Sequence, residues 1–195
     1  MAAAPTPSDE DLMLAYAAGD AAAFDALYAR HKGGVYRYLL RQCRQAGIAD
    51  ELFQDVWMNL IRARASYIPT AKFATWLYRL AHNRLIDHYR AAGVVTLVSA
   101  DDDAHADVVE AIAGDPRDEP ELRAGNRELG ERLKEAVAAL PATQREAFLL
   151  HQEGGLALAE IAELTDVGVE TVKSRLRYAM SKLRSDLADL YEPQR

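Results

Sequence analysis

The chain has 195 residues with 23 basic and 30 acidic side chains, a formal charge of −7, and half of its residues are apolar. That length holds one domain or two small ones, no run of eighteen apolar residues offers a membrane span, and the N-terminus lacks the basic and apolar regions of a signal peptide, so the expected location is the cytoplasm without membrane insertion. A single cysteine, Cys43, excludes an intramolecular disulfide and a cysteine-based zinc site.

The five histidines (His31, His82, His88, His105 and His151) show no metal-ligand spacing, so no metal is expected. There is no glycine-rich phosphate loop and no nucleophile paired with a base, so neither enzymatic activity nor a cofactor is expected. The chain lacks β-type alternation and reads as all-α. Cys43 occupies an apolar helical position and reads as a buried, inert thiol.

Residues 1–9 form an Ala/Pro tail. Ser8 and Asp11 suit a capping box for a helix that stops at Gly19, and Asp20 suits the cap of the next. That second helix carries Phe24, Leu27, Tyr28, Val35, Leu39 and Cys43 at helical spacing and is expected to end at Gln45-Ala46-Gly47. A third helix is predicted from Asp50, with Leu52, Phe53, Val56, Trp57, Leu60 and Ile61 facing inward. Asp50, Glu51, Gln54 and Asp55 then fall in its first turns, where the helix dipole favours negative charge; an acidic docking surface explains them equally well.

After a loop broken by Pro69, residues 71–90 form a helix with Phe73, Trp76, Leu77 and Leu80 as its core face. Lys72, Arg79, Asn83 and Arg90 lie within about 40° of one another on the helical wheel, with Trp76 beside them. Cations next to an amide and a flat ring suit phosphates, a base edge and an unstacked base, although such a stripe also suits a solvated face.

Residues 93–122 hold most of the negative charge. From Asp101 to Glu121 there are nine acids and one base, with Pro116 and Pro120 and little periodicity, which reads as a flexible acidic linker with weak support for a short helix over 104–113. A second helical module covers 123–190, as the first covers 10–92. Leu129, Leu133, Val137 and Leu140 continue one face, Pro141 suits a helix's first position, and Phe148 and Leu149 begin another apolar row.

The end of the second module is its most informative part. Leu158, Ile161, Ala162 and Leu164 make a short apolar helix, Asp166 and Gly168 a tight turn, and Val172, Leu176, Ala179, Met180, Leu183 and Leu187 the inner face of a following helix. Between Thr171 and Arg184 there are five bases and no acid, in an acidic protein. This is helix-turn-helix spacing with the second helix suited to a DNA major groove.

Four ordered stretches carry a family resemblance: Ala49-Asp50-Glu51-Leu52-Phe53-Gln54-Asp55-Val56-Trp57; Phe73-Ala74-Thr75-Trp76-Leu77-Tyr78-Arg79-Leu80-Ala81-His82-Asn83; Leu140-Pro141 with Arg145; and Glu160-Ile161-Ala162 followed by Thr171-Val172-Lys173-Ser174-Arg175-Leu176. Over residues 10–188 the chain resembles a bacterial RNA polymerase sigma factor of the extracytoplasmic-function type. The resemblance implies two small helical domains, region 2 and region 4, around the acidic linker.

It further implies that Asp50, Glu51, Gln54, Asp55 and Trp57 meet core RNA polymerase, and that Lys72, Trp76, Arg79, Asn83 and Arg90 meet the single-stranded minus-10 element of promoter DNA. Thr171, Lys173, Ser174, Arg175 and Arg177 would meet the duplex minus-35 element. An anti-sigma factor is a further partner common in such proteins, and a stress-response regulon the usual target.

The sequence departs from the family where Ala157 replaces a capping serine, Asp166 the usual turn glycine and Glu170 a common glycine. The rival reading is a stand-alone helix-turn-helix regulator of duplex DNA, which leaves the stretch 73–90 unexplained.

Overall fold

The computed structural model describes residues 6–93 and 124–188; of 124–128 only the backbone is described. The acidic run, the weakly supported helix over 104–113 and the first five residues of the tail lie outside the described residues. Every regular element among the described residues is helical, as the sequence predicts.

Helix α1 (Asp9–Ala17) starts as read: the Ser8 hydroxyl accepts from the Asp11 amide at 3.1 Å and donates to its carboxylate at 2.7 Å. Asp20 caps α2 (Ala21–Cys43) through the Ala22 amide. The end of α2 differs from expectation. Arg44 takes the left-handed position at φ 57° that glycine usually fills, and its guanidinium donates to the carbonyl of Ala138 in the second module.

Because α2 stops at Cys43, α3 (Ala46–Ala63) begins four residues before Asp50, with Gln45 in the capping position. A 3-10 turn, Arg64–Ser66, leads to the loop before α4 (Phe73–Ala91). No side chain of Lys72 caps α4; the Phe73 amide instead donates to Glu10 of α1 at 2.6 Å. This charge-assisted bond ties the first helix to the start of the fourth. Phe24, Tyr28, Phe53 and Trp57 interlock between α2 and α3, with centroids 4.8 to 6.2 Å apart.

The second module comprises α5 (Ala124–Ala138), α6 (Ala142–Gln152), α7 (Leu158–Thr165) and α8 (Val169–Asp186). Pro141 caps α6 from just outside instead of opening it. Asp166 adopts the left-handed turn at φ 54°, ψ 46°, and Gly168 starts α8. Ile161, Ala162 and Leu164 pack with Leu149, Leu150, Val172, Ala179 and Leu183.

Three expected core positions are open. Leu129 and Leu133 are exposed, because α5 buries its row only near its C-terminal end, at Ala136, Val137 and Leu140. Met180 is 43% exposed, being about 80° around the wheel from Val172.

The two modules pack against each other, with α2 touching α5 and α6, and α4 touching α7. Arg145 is buried in this seam, donating to the carbonyls of Ala138 at 3.2 Å and Leu140 at 3.0 Å. Desolvation first, then the neighbouring Arg44 charge, pull its guanidinium down to about 10.

Candidate polymerase and nucleic-acid interfaces

The acidic face of α3 is a surface of mixed character. Asp50, Glu51 and Gln54 are exposed, while Asp55 is half-buried beneath Arg84, whose Nε and Nη2 reach Asp55 Oδ2 at 2.8 and 2.7 Å. The earlier helix start matters here. The first turn of α3 contains no acid, so the helix dipole does not account for this cluster.

Trp57 does not belong to that surface. It is 5% exposed, with its ring 4.8 Å from Tyr28 and 5.9 Å from Phe24. A large ring at this point of the period must face the core, so Trp57 acts by holding α3 in place and is corrected from a contact to a packing residue. Arg84 is the residue that sequence reasoning passed over: its pairing with Asp55 crosses 29 positions and has no local signal.

Helix α4 brings its stripe together, and the second module reaches over the first half of it. Lys72, just before the helix, is exposed with Nζ 3.7 Å from Glu160. Arg79 Nη2 lies 2.7 Å from Glu163 Oε1. Asn83 and Arg90 are exposed, and Arg90 reaches Asp87 at 3.9 Å.

Trp76 is half-buried and rests on Tyr67 at 5.0 Å and Phe73 at 6.0 Å, partly core and partly surface. Leu80, expected in the core, is likewise only half-buried, whereas Thr75, Tyr78, Ala81 and Leu85 are buried. The Thr75 hydroxyl donates to Glu160 at 2.7 Å, and the Tyr78 hydroxyl donates to the Glu153 carbonyl at 2.7 Å. Burial, followed by the Glu153 charge, raises the Tyr78 phenol well above its ordinary value.

Glu160 joins the modules. Its Oε2 accepts from the Ala157 amide at 2.7 Å, one half of a capping box whose other half alanine cannot supply. Desolvation pushes its carboxyl up, but the Ala157 amide, the Thr75 hydroxyl and the Lys72 ammonium outweigh that and hold it below its ordinary value.

Helix α8 presents Thr171, Lys173 and Arg177 to solvent, opposite Val172, Ala179 and Leu183; Ser174 and Arg175 are half-buried. The Arg177 guanidinium lies 5.1 Å over the Tyr178 ring, which limits its freedom. Glu170 is strongly exposed and 3.6 Å from Lys173, so one carboxylate sits among these cations. Cys43 is half-buried, and burial raises its thiol above the usual value, keeping it a poor nucleophile.

Two stretches of this all-helical chain match sigma factor families. Residues 27–94 match the family Sigma-70 region 2, and residues 130–183 match Sigma-70, region 4. The chain is 34% identical over 190 residues to the ECF RNA polymerase sigma factor SigK of Mycobacterium tuberculosis strain H37Rv, covering 92% of this chain and 94% of that one.

It is 30% identical over 181 residues to SigM of the same strain, covering 90% and 83%. Among solved structures it resembles CnrH in complex with the cytosolic domain of CnrY, with a TM-score of 0.63 at 22% identity over 95% of this chain and 100% of that one. It also resembles Bartonella quintana RpoE in complex with the anti-sigma factor NepR, with a TM-score of 0.64 at 21% identity over 85% and 96%. These two show the fold.

The chain belongs to the extracytoplasmic-function RNA polymerase sigma factors. It therefore serves RNA polymerase in promoter recognition and transcription initiation, and the stand-alone regulator is set aside because region 2 accounts for the helices it left unexplained.

Proposed function

We propose that three faces divide the work of this sigma factor, with region 2 spanning 10–92, region 4 spanning 123–190 and the acidic linker between them. Asp50, Glu51, Gln54 and Asp55 dock on core RNA polymerase, with Arg84 fixing the Asp55 carboxylate and Trp57 fixing the helix. Lys72, Trp76, Arg79, Asn83 and Arg90 hold the minus-10 strand as it opens: the cations take phosphates, the amide a base edge, and the indole an unstacked base. Melting then draws on binding energy for the single strand, without enzymatic activity in this chain.

Thr171, Lys173, Ser174, Arg175 and Arg177 meet the minus-35 duplex, hydroxyls and lysine on phosphates and an arginine on a guanine edge. The observation that carries this reading is the exposed acidic cluster of α3, which the helix dipole does not explain, on the same module as the cationic stripe of α4. We further propose that the protein works in the cytoplasm on a stress-response regulon. Because RpoE is solved with an anti-sigma factor, we extend that kind of partner to this chain.

Reconstitution tests the assignment. Purified protein added to sigma-free core RNA polymerase is expected to form a complex and start specific transcripts from its own upstream region. Glu51→Lys with Gln54→Ala is expected to abolish the complex while leaving the circular dichroism spectrum intact. Complex formation undiminished in that variant would remove α3 as the docking face.

A further inference from the structure

We infer that Glu10 of α1 is a positioning residue for minus-10 capture: its carboxylate holds the first amide of α4 and, through that turn, the placement of Lys72 and Trp76. This rests on the minus-10 reading of the α4 face. Glu10 itself lies outside the span 27–94 that matches Sigma-70 region 2.

Helix α4 opens without a cap of its own. Lys72 stands in the capping position and its side chain makes no cap bond, so the leading amides of the helix depend on neighbours. Glu10 Oε1 accepts from the Phe73 amide at 2.6 Å, across 63 positions. A serine or aspartate at residue 72 would supply such a bond locally, but the cation that a strand phosphate needs occupies that place. The acceptor comes from another helix instead.

The loop before the helix is held at its two ends. Residues 68–72 are exposed, and the bond from the Thr70 amide to the Ile68 carbonyl at 2.8 Å closes within the loop. Tyr67 fixes the entry, 8% exposed with its ring 5.0 Å from Trp76 and 6.4 Å from Phe73. Glu10 fixes the exit. Burial, then the Glu10 and Asp9 charges, raise the Tyr67 phenol, so both carboxylates face this end of the loop. Lys72 and Trp76 stand on either side of the residue whose amide Glu10 holds.

Glu10 is half-buried on a helix that is itself anchored. Asp9 beside it meets Arg30 Nη1 at 2.6 Å and His31 Nε2 at 2.7 Å, and Leu12 and Met13 are buried. The helix dipole is a competing reason for an acid here, since Asp9, Glu10 and Asp11 all fall in the first turn of α1. The two accounts ask for different things: the dipole needs charge, and the bond needs reach.

Three substitutions separate them in the full chain, assembled with core RNA polymerase. Glu10→Asp keeps the charge and shortens the side chain by a methylene, Glu10→Gln keeps the reach and loses the charge, and Glu10→Ala loses both. The probe is a fluorescein-labelled single-stranded oligonucleotide, selected by the parent holoenzyme from a pool with about twelve randomised nucleotides and read by anisotropy. Circular dichroism melts and affinity for core polymerase verify that each variant is folded and docked.

Strand binding is expected to weaken roughly tenfold in Glu10→Asp and Glu10→Ala, as the loss of one charge-assisted hydrogen bond implies, and to stay within about twofold of the parent in Glu10→Gln. Core affinity should not change. Added to Lys72→Ala with Trp76→Ala, Glu10→Asp should cost nothing more, because it acts through those residues. Parent-like binding in Glu10→Asp, or a full additional loss in that background, would overturn the proposal. Glu10→Gln as weak as Glu10→Ala would overturn it too, since reach without charge would then count for nothing. If Lys72→Ala with Trp76→Ala binds the strand like the parent, the minus-10 reading fails and the proposal with it; if that pair weakens binding and no Glu10 variant does, the positioning alone fails.

Discussion

Arg145 offers a quantitative check on how the second module is held together. Its Nη1 donates to two carbonyls near the end of α5, Ala138 at 3.2 Å and Leu140 at 3.0 Å, and its Nε is 3.4 Å from Gln42 Oε1, a weak contact. Each charged hydrogen bond is worth about 1.5–3 kcal/mol. Two such bonds sum to about 3–6 kcal/mol; against that, a guanidinium pulled from 12.5 to about 10 opposes its own burial by about 3 kcal/mol, leaving a net gain of about 0–3 kcal/mol.

Truncation adds a cavity term of about 1–2 kcal/mol, so Arg145→Ala is expected to cost about 3 kcal/mol. Arg145→Met, which refills the space and lifts the desolvation, is expected to cost about half as much. Urea unfolding measures both. The only two tryptophans, Trp57 and Trp76, lie in the first module, so fluorescence follows that half while circular dichroism follows both. With the seam intact the two probes should fall together in the parent. A midpoint in Arg145→Ala within about 0.5 kcal/mol of the parent would refute the account, because surface substitutions alone produce that much.

Other changes test single contacts. Ala157→Ser should complete the capping box with Glu160 and stabilise the protein by about 1 kcal/mol; an unchanged melting temperature would mean the backbone at residue 157 does not hold the geometry for it. Arg175→Ala should weaken binding to a minus-35 duplex by about 1–3 kcal/mol, read by anisotropy across a salt series, and an unaltered affinity and slope would remove Arg175 from the contacts.

Because the Glu160 carboxyl is held below its ordinary value of 4.5, its contribution to the seam is complete above that value and lost as the pH falls through the lower, folded one. The stability of Glu160→Gln, measured by urea unfolding, should therefore fall less between neutral and acid pH than the parent's, and identical losses would contradict this.

What the sequence discloses and what it hides follow from the reach of each interaction. The caps at Ser8 and Asp20 and the left-handed Asp166 were legible because they involve neighbours within a few residues. The inner face of α8 was legible at Val172, Ala179, Leu183 and Leu187, while Met180 is exposed and Ser174, Arg175 and Leu176 are half-buried, where the period leaves residues on the boundary. The start of α3 was misplaced because α2 already ends at Arg44, an unlikely left-handed residue whose amide closes on the Leu40 carbonyl and whose guanidinium reaches Ala138, 94 positions away.

The same holds for α4, and there it bears on function. Its pattern distinguishes an apolar face from a polar one, yet Thr75 and Tyr78 are buried although polar, and Leu80 is less buried than its character suggests. The Thr75 and Tyr78 hydroxyls donate to Glu160 and to the Glu153 carbonyl, so their burial leaves no donor unpaired. The periodicity records the character of a side chain and not its partner, and partners 85 and 75 positions away leave no local trace. Gly34 inside α2 is of the same kind, since the Tyr78 hydroxyl and the Glu153 carbonyl that a Cβ would meet arrive only when the chain is folded.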